Sequence, residues 1–256
     1  MSGRGAIVTG AASGIGRAIA IRLAADGFDV VCADVRRDPI AGGDPTEAVI
    51  AAAGGKALHV DADVSLPDDC ERLVAIAADR AGRLDVLVNN AAIAGRHSRP
   101  LVETEVADFD AVMAVNLRGA FVLSRAAVRQ MLGQPLEDEV RGRIVNITSQ
   151  HGLVGAPGHF SYAVSKGGLL QMTRQIAVEH GADGILCNSV SPGKIVTGTP
   201  GDLSADEAGL AYVQSRTPFS RLGRAEDVAA AVAYMASEAS YTSGANLMVD
   251  GGWMAY

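Results

Sequence analysis

A parallel β-sheet covered by helices on both faces, a doubly wound α/β fold, is predicted by three features of the 256-residue sequence. Short β-branched runs alternate with Ala-rich amphipathic stretches, several runs are apolar at consecutive positions, and a glycine-rich turn joins the first run to the first helical stretch. Consecutive apolar residues mark strands buried on both faces, as crossover helices on either side of a parallel sheet require.

Seven strands are expected, at Ala6–Thr9, Asp29–Asp34, Ala57–Val60, Asp85–Asn89, Arg143–Thr148, Ile185–Val190 and Asn246–Val249. The first helix follows the glycine turn with Arg17-Ala-Ile-Ala-Ile-Arg-Leu-Ala24. Ser65 stands before Leu66-Pro-Asp-Asp69, which predicts a hydroxyl cap ahead of a proline and two acids in a first turn. Thr104 is expected to cap the long stretch from Glu105 toward Met131. Arg36 to Asp44 reads as irregular, and Gly198 to Pro218 is too long for an ordinary connection. The second passage, 198–218, reads as a substrate loop or lid with a short helix around Ala205 to Val213. No repeat, low-complexity tract or linker interrupts the pattern, so residues 1–256 read as one domain.

Composition narrows the function. The net charge is −7, the pI near 5.2, and the only basic cluster runs from Arg96 to Arg99, so nucleic acid is not expected as a partner. Charges or glycines break the apolar runs before the ~18 residues a membrane span needs, and Met1-Ser-Gly-Arg-Gly5 leads directly into the first strand. Neither a membrane anchor nor a signal peptide is expected. Cys32, Cys70 and Cys187 are scattered without metal or redox spacing, which fits inert thiols in a reducing, cytoplasmic setting. The histidines also lack metal-ligand spacing, and no metal site is predicted.

In doubly wound sheets ligands bind beyond the carboxyl ends of the strands, which draws attention to Asn89, Ser149 and Pro192. Thirteen residues after Ser149 comes Tyr162, with Lys166 four further on, in a chain with three lysines in all. On a helix, positions i and i+4 share a face, so phenol and ammonium project into one cleft. A free phenol titrates near ~10, and using it at neutral pH means favouring the phenolate by about 3–4 kcal/mol. One ammonium at about 4 Å, at an effective dielectric near 20, supplies a comparable amount. The pair therefore reads as an acid/base device.

Thr9-Gly10-Ala-Ala-Ser13-Gly14-Ile15-Gly16 offers the other half of a site. Glycines let backbone approach a ligand, and the following helix N-terminus presents free N–H groups to a pyrophosphate. Asp34 ends the second strand twenty-four residues after Gly10, where a carboxylate would hold ribose hydroxyls and repel a 2′-phosphate. That predicts NAD over NADP, although Arg36 and Arg37 could neutralise a phosphate.

Taken together, Thr9-Gly-x-x-x-Gly-Ile-Gly16, Asn89-Asn-Ala-Ala92, Asn116, Ser149, Tyr162-x-x-x-Lys166 and Pro192-Gly193 resemble the short-chain dehydrogenase/reductase family over nearly the whole chain. The resemblance implies a seven-stranded Rossmann-type sheet that binds cofactor and carries the catalytic groups, commonly in a tetramer. It implies Tyr162 as general acid/base, Lys166 as the cation that lowers the tyrosine pKa and holds the nicotinamide ribose, and Ser149 as the donor to the substrate oxygen. Asn116 would mark a backbone break that holds a water on a proton path through Lys166. Gly10, Ser13, Gly14, Ile15, Gly16 and Asp34 would hold the adenosine and pyrophosphate. Asp63 and Val64 would meet the adenine, Asn89 to Ala91 would line the adenosine side, and Pro192, Gly193, Ile195 and Thr197 would cup the nicotinamide. Ala92 stands where the family usually has glycine, and a positive φ there would strain it.

Around this set, Gln150, His151, His159 and Lys194, with Arg96 and His97 further off, make a polar rim. Such a rim favours a sugar, polyol or hydroxy acid over a long acyl chain. The expected activity is NAD-dependent interconversion of a secondary alcohol and a ketone on such a compound. Reduction of a 3-oxoacyl thioester with NADPH is one alternative, and a dinucleotide-binding regulatory protein without chemistry is another. The absence of a Gly-x-Ser-x-Gly elbow argues against a hydrolase.

Overall fold

Alternation along each strand sorts the core into two layers. In β1 (Arg4–Thr9), Ala6 and Val8 face one side of the sheet and Ile7 the other, all fully buried. In β4 (Val86–Asn89) and β5 (Gly142–Ile147) the same division puts Val86, Val88 and Val145 in the first layer and Leu87 and Ile144 in the second. Both layers are apolar because helices cover both faces. The computed structural model describes residues 3–95, 100–198 and 207–255, without the side chains of residues 208 and 209.

The remaining strands of the sheet are β2 (Phe28–Asp34), β3 (Lys56–Asp61), β6 (Ile185–Pro192) and β9 (Asn246–Val249). All seven expected strands form and pair in parallel, in the order β3-β2-β1-β4-β5-β6-β9. A short parallel pair, β7 (Ile195–Val196) with β8 (Gly223–Arg224), lies outside this sheet. Two-residue strands leave no periodic trace in a sequence. Helices α1 (Gly14–Ala25) and α8 (Ala225–Ala233) pack on the first layer. Helices α3 (Pro67–Ala81) and α5 (Ala120–Leu132) pack on the second, with α4 (Val106–Met113) leading into α5 and α6 (Phe160–His180) beside them. The chain leaves the centre of the sheet in opposite directions from β1 and β4, so a crevice opens between their carboxyl ends.

Two expected caps are not realised. Pro67 takes the first helical position of α3 and holds Leu66 extended, at φ −99° and ψ 117°, so the cap is Leu66 and Ser65 sits one residue too early. Carboxylates tie this corner instead: Asp69 accepts the Asp63 N–H at 2.9 Å, and Asp63 accepts the Ser65 N–H at 2.8 Å. The Thr104 hydroxyl is spent on the preceding turn, donating to the Pro100 carbonyl at 3.1 Å, and Glu105 occupies the cap of α4. The continuous helix Val106–Leu132 passes for a membrane span by length and mean composition, although Arg118, Gly119 and Arg125 interrupt its apolar run as expected. Over half of its most apolar window is buried against this protein's own core. The expected irregular passage 36–44 is present. Within 198–218, α7 (Glu207–Arg216) replaces the shorter helix expected around 205–213, and residues 199–206 lie outside the described set.

Beneath the crevice the core is polar and fully connected. Asn89 donates to Ser124 Oγ at 2.9 Å and to Asn146 Oδ1 at 2.8 Å, and Asn146 donates to Thr173 Oγ1 at 2.9 Å. These four buried side chains link β4, β5, α5 and α6. Asn146→Ala removes both the acceptor and the donor from a fully buried site, and a loss of about 2–4 kcal/mol is expected in urea unfolding.

Candidate functional site

Gly10, Ser13, Gly14, Ile15, Gly16, Asp34, Asp63, Val64, Ala91 and Thr197 line one cleft of about 580 Å³ at the carboxyl edge of the sheet. The glycine turn reaches this place because Gly16 packs with no side chain: a Cβ there would overlap the Gly10 carbonyl oxygen and approach the Asn90 amide. The α1 N-terminus thus opens directly into the cleft, which fits a dinucleotide's pyrophosphate. Asn90, within the Asn89 to Ala91 stretch expected on the adenosine side, lines the cleft and braces the turn. Its amide donates to the Thr9 carbonyl at 2.8 Å, and its backbone N–H donates to Thr9 Oγ1 at 2.9 Å. Asn89, expected on the adenosine side, instead points into the polar core described above. Strand β4 ends at Asn89, so the next residue is the one that faces the crevice.

Asp34 lies at the cleft mouth and accepts the Ala12 N–H at 3.0 Å and the Arg36 N–H at 3.2 Å. Each carboxylate oxygen keeps a lone pair for a ribose hydroxyl. Arg36 lines the same mouth, whereas Arg37 is turned away and paired with Glu47 at 2.6 Å. Ser13 Oγ accepts the Ile40 N–H at 2.7 Å, which fastens the 36–44 passage over the glycine turn. Ala92 has no positive φ, so replacing the family's glycine there brings no backbone strain. Pro192, Gly193 and Ile195 lie further along, where β6 turns into β7; Gly193 packs against Asp250 and the Gln150 amide.

Tyr162 and Lys166 share one face of α6, with Lys166 Nζ 5.7 Å from the tyrosine ring centroid. Lys166 is 2% exposed and donates to the Ile147 carbonyl at 2.7 Å. Its burial pushes its pKa down to about 8. Burial pushes the Tyr162 phenol above its ordinary range, and the hydrogen bond with Ser149 pulls it back. This differs from the expectation that Lys166 simply depresses the phenol: in this arrangement desolvation is the larger effect. Ser149 also accepts the His151 N–H at 3.1 Å, opening the 3₁₀ turn Gln150–Gly152. Gly152 lets that turn press on α6, since a Cβ there would lie 2.9 Å from the Lys166 carbonyl.

Asn116 sits in a π-helical turn, Ala114–Gly119, between α4 and α5. Its amide accepts the Ile93 N–H at 2.8 Å and donates to the Ile93 carbonyl at 2.9 Å and to Ser165 Oγ at 3.1 Å. A backbone break is therefore present at the expected position, and the side chain ties the β4 loop to the residue preceding Lys166. Such turns are frequent at functional sites.

Gln150, His151, His159 and Lys194 gather beside Ser149. The imidazoles of His151 and His159 stack at 5.3 Å, and Trp253 meets His151 edge-on at 6.5 Å. Trp253, in the tail after the last strand, adds an aromatic face to this group. The rule that selects strand ends points to it, since it follows β9 by four residues. Arg96 and His97 lie outside the described residues.

A nucleotide-sized cleft on a reversed parallel sheet, joined to a Ser/Tyr/Lys group, defines a dinucleotide-dependent oxidoreductase. The family model described as enoyl-(acyl carrier protein) reductase matches residues 10–254. Glucose 1-dehydrogenase 2 of Bacillus subtilis is 37% identical, over 100% of this chain and 96% of that protein. The 3-oxoacyl-[acyl-carrier-protein] reductase of Synechocystis is 36% identical, over 98% of this chain and 97% of that protein. A solved structure from Agrobacterium tumefaciens, provisionally named a 2-deoxy-D-gluconate 3-dehydrogenase and holding NADP, superposes with a TM-score of 0.87. It is 37% identical, covering 100% of this chain and 98% of its own. The chain belongs to the short-chain dehydrogenase/reductase family and is an NAD(P)-dependent enzyme acting on CH–OH groups. That sets aside the reading without chemistry. The NADP held by this neighbour runs against the ranking of NADP below NAD drawn from Asp34, and NAD(P) is what the comparisons support.

Gly16→Ala places a methyl group where the Gly10 carbonyl stands. At least tenfold weaker NADH binding is expected in a fluorescence titration.

Proposed function

We propose that the enzyme interconverts a secondary alcohol and a ketone on a sugar, polyol or related polar hydroxy compound, with Tyr162 as general acid/base. The observation that carries this reading is the placing of Tyr162 and the buried Lys166 on one face of α6, 5.7 Å from ring centre to ammonium, beside a dinucleotide-sized cleft. In the oxidising direction the Tyr162 oxygen takes the hydroxyl proton while the Ser149 hydroxyl donates to the substrate oxygen. A nicotinamide dinucleotide held in the cleft would supply the acceptor for the hydride leaving the carbinol carbon. Lys166 stabilises the phenolate electrostatically and offers N–H groups toward the nicotinamide ribose, and Asn116 positions it through Ser165. In reduction the proton returns from the phenol to the forming alkoxide.

Support for a polar substrate comes from the His151, His159 and Lys194 group, and from relatives whose names include a glucose and a deoxygluconate dehydrogenase. A second reading, 3-oxoacyl thioester reduction, is favoured by the name of the Synechocystis relative; turnover of acetoacetyl-CoA with NADPH, with none on polyols or sugars, selects it. The same face of α4, α5 and α6 carries an open apolar hollow lined by Met113, Leu117, Phe121, Gly168 and Met172, which supports assembly into an oligomer. The 198–218 passage is the proposed lid.

Tyr162→Phe is expected to lower kcat at least a thousandfold while NADH binding stays within threefold; activity within tenfold of the parent refutes the assigned role. We infer NAD as the preferred cofactor, through Asp34, with Arg36 as the opposing charge at the cleft mouth. Asp34→Ala is expected to raise kcat/KM for NADP relative to NAD at least tenfold. An unchanged ratio removes Asp34 from the ribose.

A further inference from the structure

Five of the eight buried side-chain nitrogen and oxygen atoms without a hydrogen-bond partner among the described residues fall in one place beside Ser149. They are both amide atoms of Gln150, both ring nitrogens of His151 and the indole Nε1 of Trp253. Gln150 is 1% exposed. Buried polar atoms in native proteins are paired with few exceptions, and a cluster of exceptions needs a physical cause. A bound group that supplies the missing partners is such a cause.

Lys194 adds a charge to this cluster. It is half-buried, its ammonium has no hydrogen-bond or ion-pair partner among the described residues, and burial lowers its pKa. Burial lowers both imidazoles, His151 to about 4, and the Lys194 charge adds to the fall of each. The imidazole stack is therefore neutral near pH 7 and can only donate or accept hydrogen bonds, leaving Lys194 as the positive group. Asp250, the acid beside the Gly193 turn, is turned to the backbone N–H groups of Gly252 and Met254, each at 2.9 Å, and forms no ion pair with Lys194.

We propose that Lys194, His151, His159 and Trp253 form an anion subsite that holds the carboxylate of a hydroxy-acid substrate while its alcohol carbon lies between Ser149 and Tyr162. The proposal rests on the alcohol–ketone reading of that pair. A neutral polyol would supply partners for the imidazole and indole nitrogens but would leave the ammonium half-desolvated and uncompensated. A carboxylate supplies acceptors for the N–H groups and a counter-charge for Lys194, and charge-assisted hydrogen bonds of this kind are the stronger ones. The subsite is close to the reacting centre by construction, because the His151 N–H is bonded to Ser149 Oγ and His159 caps the helix that carries Tyr162.

The test is to measure kcat and KM of the full-length enzyme for aldonates such as D-gluconate and for the matched neutral alditols, with NAD and with NADP, in the parent, Lys194→Met and Lys194→Arg. In the parent, kcat/KM at least tenfold higher for the acids is expected. Lys194→Met should reduce that acid-to-alditol ratio at least tenfold, chiefly through the KM of the acid, and Lys194→Arg should restore part of it. Acids no better than alditols, or an equal loss on both classes in Lys194→Met, overturns the proposal while leaving the alcohol–ketone reading intact. If no alcohol in the panel is turned over, the alcohol–ketone reading fails separately. The subsite is then judged by melting temperature of the NADH complex: a rise with D-gluconate, absent with D-glucitol and in Lys194→Met, supports it, and no such rise overturns it.

Discussion

An ammonium group with almost no access to water, held by one backbone carbonyl, is the constraint around which the site is organised. Bringing the pKa of Lys166 from its ordinary 10.5 to about 8 corresponds to about 3 kcal/mol against its charged form. Tyr162 bears a burial penalty of the same kind on its phenolate. Each charge is disfavoured alone, but the two together attract: at 5.7 Å and an effective dielectric near 20, the interaction is about 3 kcal/mol. A charged Lys166 and an ionised Tyr162 would thus favour one another in a site that disfavours each alone.

Such a pair works only if the backbone around it is held to a fraction of an ångström, and the fold provides that from three directions. Gly152 lets the turn after Ser149 rest against the Lys166 carbonyl. Asn116, in its π turn, fastens Ile93 to Ser165 and so joins the cofactor side of the crevice to the catalytic helix. Below them, the Asn89, Ser124, Asn146 and Thr173 network locks the two central strands to the helices on one face. A polar core layer is costly unless every member is satisfied. Here it is satisfied, and its directional bonds fix the register of strands and helices more narrowly than apolar contacts would.

The parts of this structure that were legible in the sequence are those written in short local patterns. The strands of the main sheet announced themselves as short β-branched runs, and the parallel arrangement followed from the several that are apolar at consecutive positions. The glycine turn and the tyrosine–lysine spacing are local as well, and the structure brings both to the carboxyl edge of the sheet. The errors came where one residue of offset decides the outcome. Ser65 and Thr104 are good capping residues displaced by a neighbouring proline and a preceding turn, and Asn89 differs from Asn90 only in which side of the strand end it faces. The π turn at Asn116 leaves no compositional mark, so its position came from resemblance alone.

The two halves of the site differ in how they are encoded. The cofactor half is built mainly from the first ninety or so residues, in chain order, and its logic is that of backbone approach and helix polarity. The other half is assembled from distant pieces: His151 and His159 flank the turn before α6, Lys194 follows β6, and Trp253 follows β9. The last piece is tied in by the chain itself. Phe219 donates its N–H to the Gly251 carbonyl at 3.1 Å, and the Arg216 guanidinium lies 5.1 Å from the centre of the Trp253 ring. The segment after α7 is thus joined to Trp253, the ring that stands edge-on to His151. Specificity in this enzyme is a property of how those segments meet, which is why a reading of the sequence reaches the reaction before it reaches the substrate.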